Sequence, residues 1–191
     1  MKIACLLGSP RKGSCSSAIA GQLVHAAVGL GATAETFTLN DLSYRGCQGC
    51  YACKKSLDHC ILNDDLTGVL EAVQEADILV MASPVYYGDI TAQMKGFFDR
   101  TFSYLKPDYL TNASPSRLAP GKKMVMIQTQ GHPDEKSFAD IFSRYRMFLD
   151  WTGYTDCRLI RACGLSPDSS PETLAPYLDQ AKLLANELLN P

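Results

Sequence analysis

The sequence has no long hydrophobic run, and its charges nearly cancel. None of its 191 residues belongs to a stretch approaching the roughly 20 apolar residues of a membrane-spanning helix. The formal net charge is −2, so no overall field favours nucleic acid or an anionic membrane surface. The apolar run in residues 1–8 is too short for a signal-peptide core with its cleavage site, and we expect a cytoplasmic protein.

Arrangements typical of hydrolases are also absent. No Ser/His/Asp pattern and no paired carboxylates stand out, so the sequence gives no support for hydrolysis. We name no catalytic side chain. With 46% hydrophobic and 20% charged residues, the composition is that of an ordinary globular protein. The length predicts a single domain over residues 1–191.

Along the chain, short segments with the apolar or alternating pattern of strands alternate with longer segments with the amphipathic pattern of helices. This alternation predicts an α/β fold with a parallel sheet and helices on both faces. Five strands fit the flavodoxin-like order 2-1-3-4-5, a three-layer sandwich. The predicted strands are 2–8, 33–38, 77–83, 123–129 and 156–163, and the predicted helices are 17–30, from about 64, from about 91, 135–151 and 171–189.

Two long loops interrupt this pattern. Residues 45–63 hold four of the eight cysteines, and we call this segment the cysteine loop. Residues 103–121 are rich in Pro, Ser and Tyr. The second loop is longer than most connections in a compact domain, and we expect a lid or a subunit contact there.

The loops after strands 1, 3 and 4 should meet. In an open parallel sheet, ligands bind beyond the carboxyl ends of the strands, at the point where the strand order reverses. For the predicted order, that point lies between strands 1 and 3. The three loops are residues 8–17, 83–89 and 129–133.

The first of these, the serine loop (residues 8–17), has the donors that a phosphate group needs. It offers four serines, Arg11 and Lys12, and it opens a helix whose free N–H groups favour an anion. The P-loop pattern fails because Ser14 stands where its lysine should be, and G-x-G-x-x-G is absent. A solvated turn with a serine N-cap is the alternative.

The second loop places Pro84, Tyr86 and Tyr87 directly after a buried strand, where they could face a planar ring. Gly88 would let the backbone approach such a ring. A hydrophobic lead-in to the next helix, with Thr91 as N-cap, is the alternative. The third loop, Thr129-Gln130-Gly131, is a common way for a strand to end.

In combination, Gly8-Ser9-Pro10-Arg11, residues 83–88 and Lys95-Gly96-Phe97-Phe98-Asp99-Arg100 resemble the flavodoxin-like NAD(P)H-dependent FMN reductases over about residues 1–131. One departure is Ser14-Cys15-Ser16, where many relatives have Gly-Asn-Thr or Gly-Asn-Ser. The resemblance implies that the FMN phosphate is held by Ser9, Arg11, Ser14, Ser16 and Ser17. It also implies that the ring is flanked by Pro84, Val85, Tyr86, Tyr87 and Gly88 and by Thr129, Gln130 and Gly131.

The cysteine loop has the sharpest spacing in the chain, with successive gaps of two, two and six residues. Such gaps are close in form to bacterial cysteine runs that hold [4Fe–4S] clusters. The pattern resembles that of iron–sulfur flavoproteins, a branch of the same fold family. A zinc site, redox-active thiols and thiols without any metal are the alternatives. The predicted ligands are Cys47, Cys50, Cys53 and Cys60.

These features together predict an FMN-dependent oxidoreductase. FMN would accept hydride from NAD(P)H and pass electrons to a small-molecule acceptor or, through a cluster, to a redox protein. The resemblance also implies a homodimer or homotetramer. A flavodoxin-type electron carrier and a redox- or metal-sensing binding protein are the alternatives, although a net charge of −2 is weak for a carrier that docks on basic partners.

Overall fold

The computed structural model describes residues 1–190, and it places five strands in one sheet. The strand order is β2-β1-β3-β4-β5, and all neighbouring strands are parallel. The predicted order is therefore confirmed, and the bounds agree to within two residues. The strands are β1 (Lys2–Leu7), β2 (Thr33–Thr38), β3 (Ile78–Pro84), β4 (Lys122–Thr129) and β5 (Tyr154–Ala162).

Six α-helices connect and follow these strands. None of them, within residues 1–190, combines the length and the apolar character needed to cross a membrane. Two 3₁₀ turns lie at Leu39–Asp41 and Thr101–Tyr104. The helices are α1 (Cys15–Gly29), α2 (Ala52–Lys55), α3 (Leu66–Glu75), α4 (Ala92–Arg100), α5 (Asp140–Trp151) and α6 (Pro171–Leu189).

Three helical predictions need correction. Helix α1 begins at Cys15 rather than at residue 17, because Ser14 caps it. Helix α5 begins at Asp140 rather than at residue 135, because residues 135–139 form turns in which Phe138 has a φ of 65°. The short helix α2 lies inside the cysteine loop, where no helix was predicted.

The sheet separates two layers of helices. β3 is buried throughout, so its successive side chains face opposite layers. Val80 and Ala82 pack with α1 and α6, whereas Leu79 and Met81 pack with α3, α4 and α5. β2 lies at the edge and is largely exposed, as its alternating pattern indicates.

The carboxyl ends of β1, β3 and β4 meet at one edge of the sheet. Backbone hydrogen bonds join them, from Gly8 N to Ala82 O (2.8 Å) and from Val85 N to Thr129 O (2.7 Å). The three loops singled out in the sequence therefore leave the sheet side by side.

Candidate functional site

The serine loop gathers its hydroxyls at the first turn of α1. Ser14 is the N-cap, and its Oγ accepts a hydrogen bond from Ser17 N (3.3 Å). The same oxygen lies 3.1 Å from Ser16 Oγ and 2.8 Å from Ser17 Oγ. Ser9, Ser14 and Ser16 are buried, so hydroxyl groups converge in a protected position.

This end of α1 is electrostatically suited to an anion. The first N–H groups of a helix have no partner within it, and the helix dipole favours negative charge there. No acidic residue lies in the first turn of α1. Arg11 is exposed beside it, and its backbone N–H donates to Ser9 Oγ (3.2 Å). A phosphate group is the anion that this set of donors fits.

Gly8 ties the serine loop to α4. A Cβ at this position would lie 2.9 Å from Thr91 Oγ1 and 3.0 Å from Met94 Cβ, so a larger residue does not fit without displacement. Thr91 Oγ1 donates to Gly8 O (2.7 Å) and caps α4 by accepting from Met94 N (3.3 Å). Thr91 is thus an N-cap, as the sequence suggested, and also a link between two loops of the candidate site.

A small cavity of about 360 Å³ lies between the loops that follow β3 and β4. Pro84 and Thr129 are buried strand ends beside it, whereas Tyr86 forms a turn with Asp89. The structure thus brings together the predicted ring-flanking residues of both loops. The cavity is lined by Val85, Tyr87, Gly88, Gln130, Gly131, His132 and Phe138.

Backbone conformations at this cavity are unusual. Tyr87 (φ 50°) and Phe138 (φ 65°) adopt the left-handed region, which is costly for bulky residues, and Gly88 has a φ of 91°. Phe138 lies edge-on to His132, with ring centroids 6.3 Å apart. The sequence did not reveal Phe138, since phenylalanine has no preference for this conformation.

Arg161, on β5, braces the loop that carries one wall of the small cavity. Its guanidinium donates to the carbonyl oxygens of Glu135 and Ser137 and to Gln130 Oε1 (3.1 Å). Gln130 Nε2 in turn donates to His132 O (2.9 Å) and to another carbonyl of the loop. No motif pointed to Arg161, because its role arises only from the pairing of β5 with β4.

A large cavity of about 600 Å³ lies between the cysteine loop, α4 and α5. Aromatic and aliphatic side chains dominate its walls, and all four predicted cysteine ligands contribute to it. The lining includes Cys47, Cys50, Tyr51, Cys53, Cys60, Leu62, Phe98, Phe102, Met147 and Phe148.

The four thiols share this cavity but are not assembled as ligands. Cys47 and Cys50 are exposed, Cys53 and Cys60 are half-buried, and all four are free. Nowhere in residues 1–190 do three Cys, His, Asp or Glu side chains lie close enough to hold a metal ion. Four thiols are ligands that an iron–sulfur cluster or zinc can use, but within residues 1–190 they are not gathered into a ligand set, and the four-cysteine site stays a prediction.

Asp89 lies between the two cavities. It follows Gly88 of the small cavity and itself lines the large one. Its carboxylate accepts from Tyr145 OH (2.9 Å) and from Arg144 (3.1 Å). Burial alone would raise the pKa of Asp89, but these bonds and one from Ile90 N hold that pKa below its usual value. Asp89 is thus an anion at neutral pH and not a proton donor.

A family model described as NADPH-dependent FMN reductase matches residues 1–140. The chain belongs to the NADPH-dependent FMN reductase family. The matched region includes the serine loop, the cysteine loop and every residue that lines the small cavity.

The curated relatives that this FMN reductase family member matches include iron-sulfur flavoproteins and FMN-dependent NADH:quinone oxidoreductases. An iron-sulfur flavoprotein of Methanosarcina thermophila is 36% identical over 101 residues, which are 53% of this chain and 52% of the relative. An FMN-dependent NADH:quinone oxidoreductase of Pseudomonas putida is 32% identical over 122 residues, 62% of this chain and 59% of the relative. The chain spans about half the length of the iron–sulfur relatives that it matches.

Solved structures share the fold over nearly the whole chain. An NAD(P)H:quinone oxidoreductase from Methanothermobacter marburgensis has a TM-score of 0.79 at 21% identity and covers 98% of this chain and 96% of its own. An FMN-dependent NADH-azoreductase from Bacillus anthracis, in complex with FMN, has a TM-score of 0.76 at 17% identity and covers 100% of both chains. These likenesses establish the flavodoxin-like fold.

Proposed function

We propose that this FMN reductase family member binds FMN, with the phosphate at the serine loop and the ring in the small cavity. The observation that carries the proposal is the set of buried hydroxyls at the start of α1, on the sheet edge where the small cavity also opens. The donors suit a phosphate monoester, and the cavity offers flat side chains and glycine backbone for a planar ring.

The residues of this site bind and orient rather than react. FMN supplies hydride chemistry when it is bound, so the protein needs no acid or base of its own. Gly88 and Gly131 allow the backbone to come close to the ring. The half-buried side chains of Val85 and Phe138 would exclude water from it. Asp89 is ionised and is held by Arg144 and Tyr145, so its negative charge is paired with the guanidinium of Arg144.

The proposed reaction is oxidation of a nicotinamide cofactor, NADH or NADPH, and reduction of a small-molecule acceptor or of a redox protein. The name of the quinone-reducing relatives supports a small-molecule acceptor. A redox protein as acceptor would follow from the cluster proposed below. The test is anaerobic mixing of FMN-loaded protein with NADPH and, separately, with NADH, followed by flavin absorbance. We expect rapid bleaching with at least one donor. Bound FMN that neither donor reduces would instead support an electron carrier.

We further propose that Cys47, Cys50, Cys53 and Cys60 hold a [4Fe–4S] cluster. Support comes from their spacing, from their common cavity and from the iron–sulfur relatives. A cluster bound there would supply one-electron transfer, and the loop must close before four thiols can hold it. Iron and acid-labile sulfide, assayed on protein purified without oxygen, test the proposal.

We also propose that the chain forms a homodimer or homotetramer. Large apolar side chains around the large cavity remain exposed, and extended patches of this kind mark contact surfaces. Sedimentation at several protein concentrations tests this, and a monomer at all concentrations would contradict it. The exposed side chains are Tyr51, Ile61, Met147, Phe148 and Trp151.

A further inference from the structure

The long loop after the 3₁₀ turn at Thr101–Tyr104 supports the cysteine loop. Arg117 reaches from it to helix α2, where both of its terminal nitrogens donate to Cys53 O (3.1 Å each). Nη1 also donates to Ser103 O (2.8 Å) and Leu105 O (2.7 Å). Arg117 therefore ties the backbone of one cysteine to a segment that leads away from α4.

Two neighbours strengthen this attachment. Lys54 Nζ donates to Phe102 O (2.5 Å) and Leu105 O (2.6 Å), and it lies 4.0 Å from the centre of the Phe102 ring. Tyr51 (φ 59°) packs edge-on against the same ring, with centroids 6.0 Å apart. Helix α2, and Cys53 with it, is thus held from several directions.

The two ends of the cysteine loop are also fixed. Arg100 is buried and pairs with Asp64 (2.5 Å). It also donates to Leu62 O (3.0 Å) and Arg45 O (3.3 Å), so one guanidinium clamps both stems of the loop.

The two segments between these anchors make few hydrogen bonds, although Cys60 on the second of them also packs against the hydrophobic core. Within the part of the chain described, the hydrogen bonds of residues 46–50 and 58–61 stay inside each segment, as Gln48 to Gly46 O and His59 to Asp58 illustrate. We call these two segments the arms. Cys47 and Cys50 lie on the first arm, and Cys60 lies on the second.

We propose that Arg117 and Lys54 hold Cys53 as the fixed corner of the thiol site, and that the two arms close on it when a thiophilic metal binds. The proposal rests on the metal-binding function proposed above. It explains why four thiols line one cavity although no three of them are assembled. Arg117 is then a positioning residue for Cys53, because it donates hydrogen bonds to the backbone of this ligand and would not bind the metal itself.

Charge supports the same assignment. Lys54, Arg100 and Arg117 lie at the anchored parts of the loop, and Asp64 pairs with Arg100. The carboxylates of Asp58 on the second arm and of Asp89 and Asp99 in the cavity wall offset part of this positive charge. Positive charge near a group of thiolates offsets the repulsion that closing the arms would create.

The test uses Co²⁺ as the probe on the full chain, reduced and free of oxygen. Thiolate-to-cobalt absorption reports binding, and hydrogen exchange of residues 46–61 reports closure of the arms. For the wild-type protein we expect Co²⁺ to slow exchange in both arms and to leave residues 52–55 nearly unchanged.

The variant Arg117→Met should weaken Co²⁺ binding by about ten- to a hundred-fold, with FMN affinity unchanged. Arg117→Lys should restore part of the loss, because it returns a cation to the same carbonyl. The matched control is Arg146→Met, an exposed arginine of α5 that pairs only at 3.8 Å with Asp150; it should bind Co²⁺ as the wild type does.

Several results would overturn the proposal. One is wild-type affinity for Co²⁺ in Arg117→Met, and another is Co²⁺ binding that leaves exchange in the arms unaltered. Loss of FMN affinity in Arg117→Met would show a general effect on folding instead. A wild-type protein that takes up no Co²⁺ would also refute it, whereas FMN uptake by the same sample would leave the flavin function standing.

Discussion

At the scale of single residues, Ser16 allows the proposed phosphate binding to be tested without removal of the cap of α1. It is buried, its Oγ contacts only Ser14 Oγ among the loop hydroxyls, and unlike Ser14 it does not cap α1. A hydroxyl that donates to a charged phosphate contributes roughly 1.5–3 kcal/mol. Its removal should therefore affect a flavin that carries the phosphate and spare one that lacks it.

We predict that Ser16→Ala raises the FMN dissociation constant about ten-fold or more and leaves that of riboflavin unchanged. Quenching of flavin fluorescence measures both constants. Ser143→Ala, which removes an exposed hydroxyl near the start of α5, is the control and should change neither. Equal losses for FMN and riboflavin would place the phosphate elsewhere.

At the scale of elements, the ion pair between half-buried Asp64 and buried Arg100 joins the start of α3 to the end of α4. Burial alone would raise the pKa of Asp64, but hydrogen bonds from Arg100, Arg45 N and Leu66 N hold it below its usual value. A carboxyl with a lowered pKa in the folded state stabilises folding at neutral pH. That stabilisation is lost as the pH falls through the lowered pKa.

We predict that Asp64→Asn lowers the free energy of unfolding by about 3 kcal/mol at neutral pH, because it leaves the buried Arg100 charge unpaired. The difference from wild type should shrink as the pH falls below about 4. Urea unfolding at a series of pH values measures it. Asp150→Asn, at an exposed pair, should cost at most about 0.5 kcal/mol. A difference that does not depend on pH would contradict this account.

Arg161 provides a second test at this scale. It lies on β5 and donates hydrogen bonds to the loop after β4, which forms one wall of the small cavity. We predict that Arg161→Met weakens FMN and riboflavin binding alike, by about five- to ten-fold, as hydrogen bonds of roughly 1 kcal/mol each are lost. Arg158→Met removes an exposed arginine from the same strand and is the control. A loss confined to FMN would instead link Arg161 to the phosphate.

The elements themselves show what the sequence could predict. β3 is an apolar run buried on both sides, and its bounds were predicted to within one residue. The predicted bounds of α6, 171–189, agree with those observed. Helix α2 was missed because four residues carry no readable period. Phe138 and Arg161 were missed because their places depend on contacts between distant segments, which no local pattern records.

At the scale of the whole molecule, the strand order places the serine loop and the small cavity on one edge, with the large cavity next to them. Asp89 belongs to the turn that links the two cavities. The proposed flavin site is therefore built mainly by sheet topology, and the strand order that defines it was predicted from the sequence. The cysteine loop is held from α4 and the long loop, contacts that the sequence did not reveal.

The most direct test of the central claim is a titration of the wild-type protein with FMN and, in parallel, with riboflavin. The account predicts uptake of a single FMN per chain and riboflavin binding at least about ten-fold weaker, because riboflavin lacks the phosphate that the serine loop would hold. A protein that binds neither flavin, or that binds both equally, would contradict it.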